Sequence, residues 1–440
     1  MKFNKFHRLF FHYGMLIVLL GLCLLFSILT IGEQERTGGS AAEKAYELTE
    51  FYPPSSRILI VTKSQEDAAF AAKLERLLSE GGFSLFKHIS GNPVEIRGKL
   101  EEDIASAKAA DLIITSQSYH PIVSNLIAGI PSLKSARIIS PPPYYWPTFI
   151  LADNIKNVAN QISVIAIIAI GMTMVIITAG IDLSVGSLIA LSAVMAAWAI
   201  GKGGGNEAGA GMALLCCLGA VIVSGAVGWF SGAMITRFKI PPFIATLAMM
   251  QVAAGLAYII SQGKPIYQLP DEIVVLGRGA EPVLGIPYAV ILMLILYIIA
   301  HLLMSRTVFG RYVYAVGGNP EAARLAGIRI DKVLVSVYVI CGLLTGLGGI
   351  IMLSQLKSGA PTYGLTYELY VIAAVVVGGT SLSGGEGKIF GTLIGAFIIA
   401  IIQNGMNLTN VESYTQKVVL GLVILGAVLL DRLRQKYSKV

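Results

Sequence analysis

The chain has 440 residues, 55% hydrophobic and 13% charged, with 33 basic and 26 acidic side chains and a net charge of +7. Its mean hydropathy of +0.72 excludes a soluble globular protein of this length and points to a polytopic membrane protein. Four cysteines (Cys23, Cys216, Cys217, Cys341) lie in apolar runs and five histidines (His7, His12, His88, His120, His301) are scattered, so neither a disulfide framework nor a metal site is expected.

Lys2, Lys5 and Arg8 precede an apolar segment from Tyr13 to Ile31. It lacks a small-residue cleavage pattern and reads as a retained first helix, which delivers the next residues to the outer side of the membrane. Residues 33–150 differ in kind, with 12 basic and 14 acidic residues and no spanning run. Within them "RILIVT", "FSLFKHI" and "DLIITS" read as strands, and "EDAAFAAKLERLLSEGG" and "EIRGKLEEDIASAKAA" as helices. Strands alternating with helices predict a small soluble α/β insert with a parallel sheet. It has no G-x-G-x-x-G or G-x-S-x-G motif, which argues against a dinucleotide or hydrolase site. "SPPPYYWPTF" (140–149) follows as a stiff linker whose Tyr144, Tyr145 and Trp146 suit the membrane interface.

Further apolar runs cover about 158–180, 184–200, 212–236, 243–262, 288–305, 333–354, 368–380, 389–404 and 416–431. With the first helix they make ten crossings and put both termini inside. Short loops test the count: 15 Lys and Arg fall on the segments assigned inside (Lys2, Lys5, Arg8, Arg237, Lys239, Arg306, Arg311, Arg324, Arg329, Lys332, Lys388, Arg432, Arg434, Lys436, Lys439). Five fall outside (Lys202, Lys264, Arg278, Lys357, Lys417). The net charge therefore reads as membrane topology, and no nucleic-acid partner is expected. The 48 glycines concentrate in the crossings, where small residues let helices pack closely.

Asp182 is the only ionisable side chain between Val158 and Ile200. A carboxylate in the middle of a spanning helix costs about 2.5–3.5 kcal/mol on insertion scales. The flanking "AGIDLSVGS" suggests instead a helix stopping at Gly180 and another starting after Asp182. Asp182 would cap the new start with Ser184 beside it, or line a substrate path, since broken helices often do. The skeleton G-x-x-L-S-x-G recurs in "GGTSLSGG" (378–385), which suggests an internal duplication. "LSGGEGK" (382–388) is not a phosphate loop, because Leu382 stands where Gly is required and Ile389 where Ser or Thr would hold magnesium.

On the inner loop, "GGNPEAARLAGI" places Asn319 as a cap, Pro320 at the first helical position and Glu321 near the amide dipole, with a stop at Gly327. The expected short surface helix is either a docking element or an ordinary connector.

"GMTMVIITAGIDLSVGS", "RFKIPPFIATLAMM", "TVFGRYVYAVGGNPEAARLAGI", "AAVVVGGTSLSGGEG" and "NLTNVESYTQKVVLGLVILGAVLLDRLR" make the chain resemble the permease subunits of bacterial ribose and galactose type ABC importers. The resemblance runs from 150 to 435, and residues 33–150 depart from the family's short outer loop. It implies a homodimeric inner-membrane pore, a periplasmic sugar-binding protein, and a separate ATP-binding cassette ATPase that holds the ATP and magnesium. It also implies that Asn319, Pro320, Glu321, Ala322, Ala323, Arg324, Ala326 and Gly327 form the coupling helix that sits in a cleft of the ATPase.

The expected fold is an all-α polytopic membrane protein with about ten transmembrane helices and a small α/β extracytoplasmic insert. Its parts are residues 1–32 (cytoplasmic start and first helix), 33–150 (periplasmic insert) and 151–440 (permease, coupling loop 306–332), in lipid, with no cofactor or catalytic residue of its own. Sugar hydroxyls need many modest partners, and Asn160, Gln161, Gln251, Gln355, Asn404 and Asn407 near the crossings are candidates, with Asp182 and Ser184 at the helix break. Glu368 is a candidate for the path or for a cap. An ion-coupled transporter would need more intramembrane charges than Asp182 and Glu368; another small polar solute on the same scaffold is the nearer rival.

Overall fold

The computed structural model describes residues 5–63, 67–105 and 110–438; Lys2, Glu66, residues 106–109 and Lys439, used above, lie outside the described residues. The chain divides into two compact units, Thr30–Thr148 and a discontinuous one made of Met1–Leu29 and Phe149–Val440. Helix α1 (Lys5–Leu29) comes first and belongs to the second.

The Thr30–Thr148 unit runs β1 (Ile31–Gln34), α2 (Gly38–Glu47), β2 (Ile58–Thr62), α3 (Ala68–Glu80), β3 (Phe86–Ser90), α4 (Pro93–Ala105), β4 (Leu112–Thr115), α5 (His120–Ala128), β5 (Arg137–Ile139) and β6 (Tyr144–Pro147). A parallel sheet in the order β3-β2-β4-β5 forms its centre. Both faces of β2 and β4 are covered, which is why these strands read as unbroken apolar runs rather than alternating ones. Ile58, Ile60, Leu112 and Ile114 pack on Phe70, Leu74 and Leu78 of α3. Leu59, Val61 and Ile113 face Ile96 and Leu100 of α4 and Val123 and Ile127 of α5.

The proline-rich stretch expected as a linker is in part a strand: β6 pairs antiparallel with β1, Ile31 opposite Pro147 and Gln34 opposite Tyr144. Its partner lies more than a hundred residues upstream, out of reach of any local reading. Helices α2 and α5 and the short β5 also escaped the sequence analysis.

The other unit continues with α6 (Ala152–Ile177), α7 (Val185–Lys202), α8 (Ala210–Arg237), α9 (Pro242–Ser261), α10 (Val275–Arg278), α11 (Tyr288–Arg306), α12 (Val308–Gly318), α13 (Pro320–Leu325), α14 (Ile330–Leu356), α15 (Tyr367–Val377), α16 (Ile389–Leu408) and α17 (Ser413–Ser438). Among the described residues seven helices (α6, α7, α8, α9, α11, α14 and α16) are long and apolar enough to cross a membrane. Three shorter apolar stretches, Gly14–Leu29, Tyr367–Val377 and Ser413–Leu429, add to them. The run expected at 368–380 is helical only to Val377, about 16 Å of rise, or half of a hydrocarbon core of about 30 Å. Gly379, left-handed at φ 88, ends it.

Helix α6 is central, with every residue from Ile162 to Ile177 buried. Helix α14 packs against α8 through glycines. A methyl group at Gly228 would stand 2.2 Å from the carbonyl oxygen of Tyr338, and one at Gly342 2.4 Å from that of Ser224. Outward, α8 exposes Leu214, Leu215, Leu218 and Ile222, and α11 exposes Ile298 and Ile299, as suits helices facing lipid tails.

Gly228→Ala should lower the thermal stability of the detergent-solubilised chain by about 1–3 kcal/mol through overpacking. Gly219→Ala on the same helix, with open space around the added methyl, should be neutral or slightly stabilising. In the Thr30–Thr148 unit, Asp111 accepts bonds from the backbone N–H (2.8 Å) and the guanidinium of Arg57, which hold its carboxyl below the usual range. A depressed carboxylate stabilises above its unfolded pKa of about 3.9 and ceases to do so as pH falls through the folded value. Protease resistance of this unit should therefore weaken below about pH 4, and Asp111→Asn should remove that part of the pH dependence.

Candidate functional site

Helix α6 stops by back-bonding its last carbonyls: Ala179 N–H donates to Ile176 O (2.9 Å) and Gly180 N–H to Val175 O (3.0 Å). The left-handed residue of this stop is Ala179 (φ 60) and not Gly180. Gly180 is needed for another reason, since a methyl there would lie 2.6 Å from the Tyr338 hydroxyl. The chain then turns at Asp182, which is wholly buried. Its Oδ1 accepts from the amide (2.9 Å) and the hydroxyl (2.6 Å) of Ser184.

The capping expectation needs correction in one respect. The residue before α7 is Ser184, whose side chain makes no cap bond; Asp182, three residues before the first helical residue, closes an Asx turn on Ser184 and reaches none of the helix's own amides. It stabilises the break rather than the helix start.

Four of the amide candidates come together. Gln161 of α6, Gln355 of α14 and Asn404 and Asn407 of α16 line a cavity of about 400 Å³ with Tyr367, and Gln403 and Gln416 join them there without having been foreseen. No charged side chain lines it. Several amides are already engaged: Asn404 and Asn154 exchange paired bonds (2.9 and 3.0 Å), Gln416 donates to Asn407 (2.8 Å), and Gln355 donates to Asn160 O (2.9 Å). The engaged amides are held in fixed positions around the space.

Asn160, one residue from Gln161, does not line the cavity. Its Nδ2 donates to Gly277 O (2.9 Å) and ties α6 to α10. On a helix neighbouring residues point about 100° apart, so a polar pair in sequence serves two different faces.

Gln251 and Glu368 line a second, smaller groove of about 240 Å³ with Ser187, Tyr258, Tyr363 and Thr366. Glu368 is the second residue of α15 and Thr366 precedes the helix without a side-chain cap. Its charge therefore suits the positive helix end while its side chain also faces the groove. Asp182 and Ser184 line neither space.

The inner loop has the local geometry that its sequence calls for. Asn319 accepts from Ala322 N–H (3.0 Å), Pro320 opens α13, and Gly327 is left-handed at φ 83. Ala323 packs inward, while Asn319, Pro320, Glu321, Ala322, Arg324, Ala326 and Gly327 are exposed. Leu325 projects with 89% of its surface free, an apolar residue that composition alone does not single out. No group of three or more metal-ligating side chains occurs among the described residues.

Residues 154–428 match the family described as branched-chain amino acid transport system / permease component. The chain is 44% identical over 293 residues to the ribose import permease protein of Escherichia coli K12, covering 66% of this chain and 88% of that protein. It is 47% identical over 288 residues to the ribose import permease protein of Bacillus subtilis 168 (65% and 87%). With the L-arabinose transport system permease protein of Escherichia coli K12 it shares 39% over 293 residues (67% and 87%). No solved structure matches. Residues 33–150 lie outside the family match.

The Asx turn predicts how position 182 tolerates change. Asp182→Asn keeps the acceptor and should leave folding yield near wild type. Asp182→Leu strands the buried amide and hydroxyl of Ser184 and should cost about 1–3 kcal/mol, read as loss of monodisperse protein in detergent and of thermal stability. Equal yields for Asn and Leu would contradict the turn's role; normal folding of both with transport only by Asp would assign the carboxylate to the substrate path.

Proposed function

The chain belongs to this family of transport-system permeases, and we propose that it is the membrane subunit of an ABC importer for a monosaccharide of the ribose or galactose kind. The observation that carries the substrate class is the cavity of about 400 Å³, where six amides and a phenol share the lining with apolar side chains and no charged one. A neutral polyol offers hydroxyls that both donate and accept, which amides complement one by one. An amino acid would bring an ammonium and a carboxylate, and burying these without opposite charges is costly. The relatives named for ribose and arabinose support the same reading.

In this proposal the seven long helices and the three shorter apolar stretches make ten crossings, with both termini cytoplasmic. Two copies form the pore. ATP and magnesium bind on a separate ATPase, and α13, exposed and capped by Asn319, is the helix that docks into it. The substrate path draws on Gln161, Gln355, Asn404 and Asn407, with Gln251 and Glu368 along a second groove and Asp182 and Ser184 fixing the helix break. The Thr30–Thr148 unit stands on the periplasmic side, where it assists docking of the sugar-loaded binding protein.

Proteoliposomes holding the permease, its ATPase and the binding protein test this directly. Uptake of labelled ribose or galactose should require a catalytically intact ATPase and withstand an uncoupler while ATP is supplied; uptake of leucine in place of sugar would replace the substrate class. Gln161→Leu should reduce sugar uptake by about tenfold, the loss of one or two hydrogen bonds, without loss of assembly. Glu321→Lys or Gly327→Leu should leave insertion intact and uncouple hydrolysis from uptake. Full binding-protein stimulation and full uptake in both variants would remove α13 from the coupling role.

A further inference from the structure

The C-terminal end of helix α12 meets the end of α6 and the 378–388 loop at bare backbone, with no side chain between them. The helix ends at Gly317 and Gly318, directly before the capped helix α13. Gly317 is buried against the end of α6, where a methyl group would stand 1.7 Å from the carbonyl oxygen of Ile177 and 2.8 Å from the amide nitrogen of Gly385. That same carbonyl accepts a hydrogen bond from Gly385 N–H (2.8 Å). Ile177 is the last residue of α6, so an amide from a loop two hundred residues away satisfies one of the orphan carbonyls of the helix end.

The loop side of the contact is equally bare. Gly384 and Gly385 are left-handed, at φ 82 and 77. A methyl at Gly384 would lie 2.8 Å from Gly317 O and 2.9 Å from the Ala179 side chain, and one at Gly385 would lie 2.9 Å from the Cα of Gly318. Tyr314, one turn earlier on α12, donates its hydroxyl to Gly387 O (2.8 Å). The loop is closed on itself by Ser381 N–H to Glu386 O (3.1 Å) and Gly384 N–H to Ser381 O (3.1 Å).

The two segments with the skeleton G-x-x-L-S-x-G thus touch each other, and they do so on α12. They also share a turn: Ser383 N–H donates to Ser381 Oγ (3.2 Å) as Ser184 N–H does to Asp182 Oδ1. A side chain at such a junction would absorb a shift of an ångström by changing rotamer. Backbone pressed on backbone transmits it, because packed interiors are stiff.

We infer that Gly317 is a positioning residue for transport, through which movement of α13 reaches both interrupted helix segments, the α6 stop at Ile177 and the 378–388 loop, in one step. "LSGGEGK", whose spacing excludes a phosphate site, then supplies the loop that receives this movement. The inference rests on the reading of α13 as the ATPase-docking helix.

Uptake and ATP hydrolysis, measured together in the reconstituted importer, test it. Gly317→Ala is expected to leave the complex assembled and hydrolysing while sugar moved per ATP falls by about fivefold or more. Gly318→Ala adds the same methyl one residue on, with nothing within 4 Å, and should match wild type. An unchanged ratio in Gly317→Ala, or the same loss in both variants, overturns the inference. Should Gly317→Ala fail to assemble, Tyr314→Phe, which removes only the hydroxyl, is expected to lower the ratio by about twofold or more, and a wild-type ratio there overturns it. Hydrogen exchange gives an independent reading: trapping the ATPase with vanadate should change protection of peptide 378–388 together with 319–327, and a change confined to 319–327 overturns the inference. Coupling lost in Glu321→Lys but kept in Gly317→Ala sinks this inference alone; coupling kept in Glu321→Lys and Gly327→Leu sinks the docking reading beneath it.

Discussion

A backbone amide or carbonyl at membrane depth must find its partner within the protein, because hydrocarbon offers none. Two interruptions between apolar helices, 178–184 and 378–388, pair backbone groups inside the protein through different means. The first returns its amides to the preceding turn and closes on Asp182; the second closes on itself and lends Gly385 N–H to the end of α6. Neither segment would be stable facing lipid. Their burial against α12 and α14 requires glycine wherever a side chain would push these surfaces apart, which accounts for Gly180 and Gly317 by contact and for Gly384 by contact together with its left-handed backbone.

The same accounting bears on the polar cavity. Amides in an apolar surrounding are costly unless paired, and several here are paired with each other or with backbone, as Asn404 is with Asn154 and Gln416 with Asn407. A solute that replaces or extends such bonds is held by many weak contacts and by no strong one. That suits transport, which requires release as much as binding. Asp182 stands apart from this cavity, so the one carboxylate that draws the eye in the sequence serves the shape of the pore wall in this reading, while uncharged amides meet the solute.

The Thr30–Thr148 unit solves a different problem. A domain inserted in a loop needs its two ends close together, and the β1–β6 ribbon provides this by pairing Ile31 with Pro147. Its parallel sheet, covered on both faces, has a core of its own in Phe70, Leu74, Ile96 and Leu100.

The sequence by itself determined what depends on neighbours in the chain. The apolar runs, the strands at 58–62 and 112–115, the cap at Asn319, the first-turn Pro320 and the stop at Gly327 all follow from interactions within a few residues, and so they were legible. The amide candidates were found as residue types but not as a site. One helical position decides that Gln161 lines the cavity and Asn160 binds α10, and only packing fixes that rotation. The tertiary structure alone decided that Ala179 takes the left-handed turn while Gly180 makes room for Tyr338, that α15 stops halfway, that Tyr144–Pro147 is a strand, and that the two similar loops meet on Gly317. The Tyr338 contact, the pairing with β1 and the meeting on Gly317 each depend on a partner distant in sequence, whose approach no local propensity encodes.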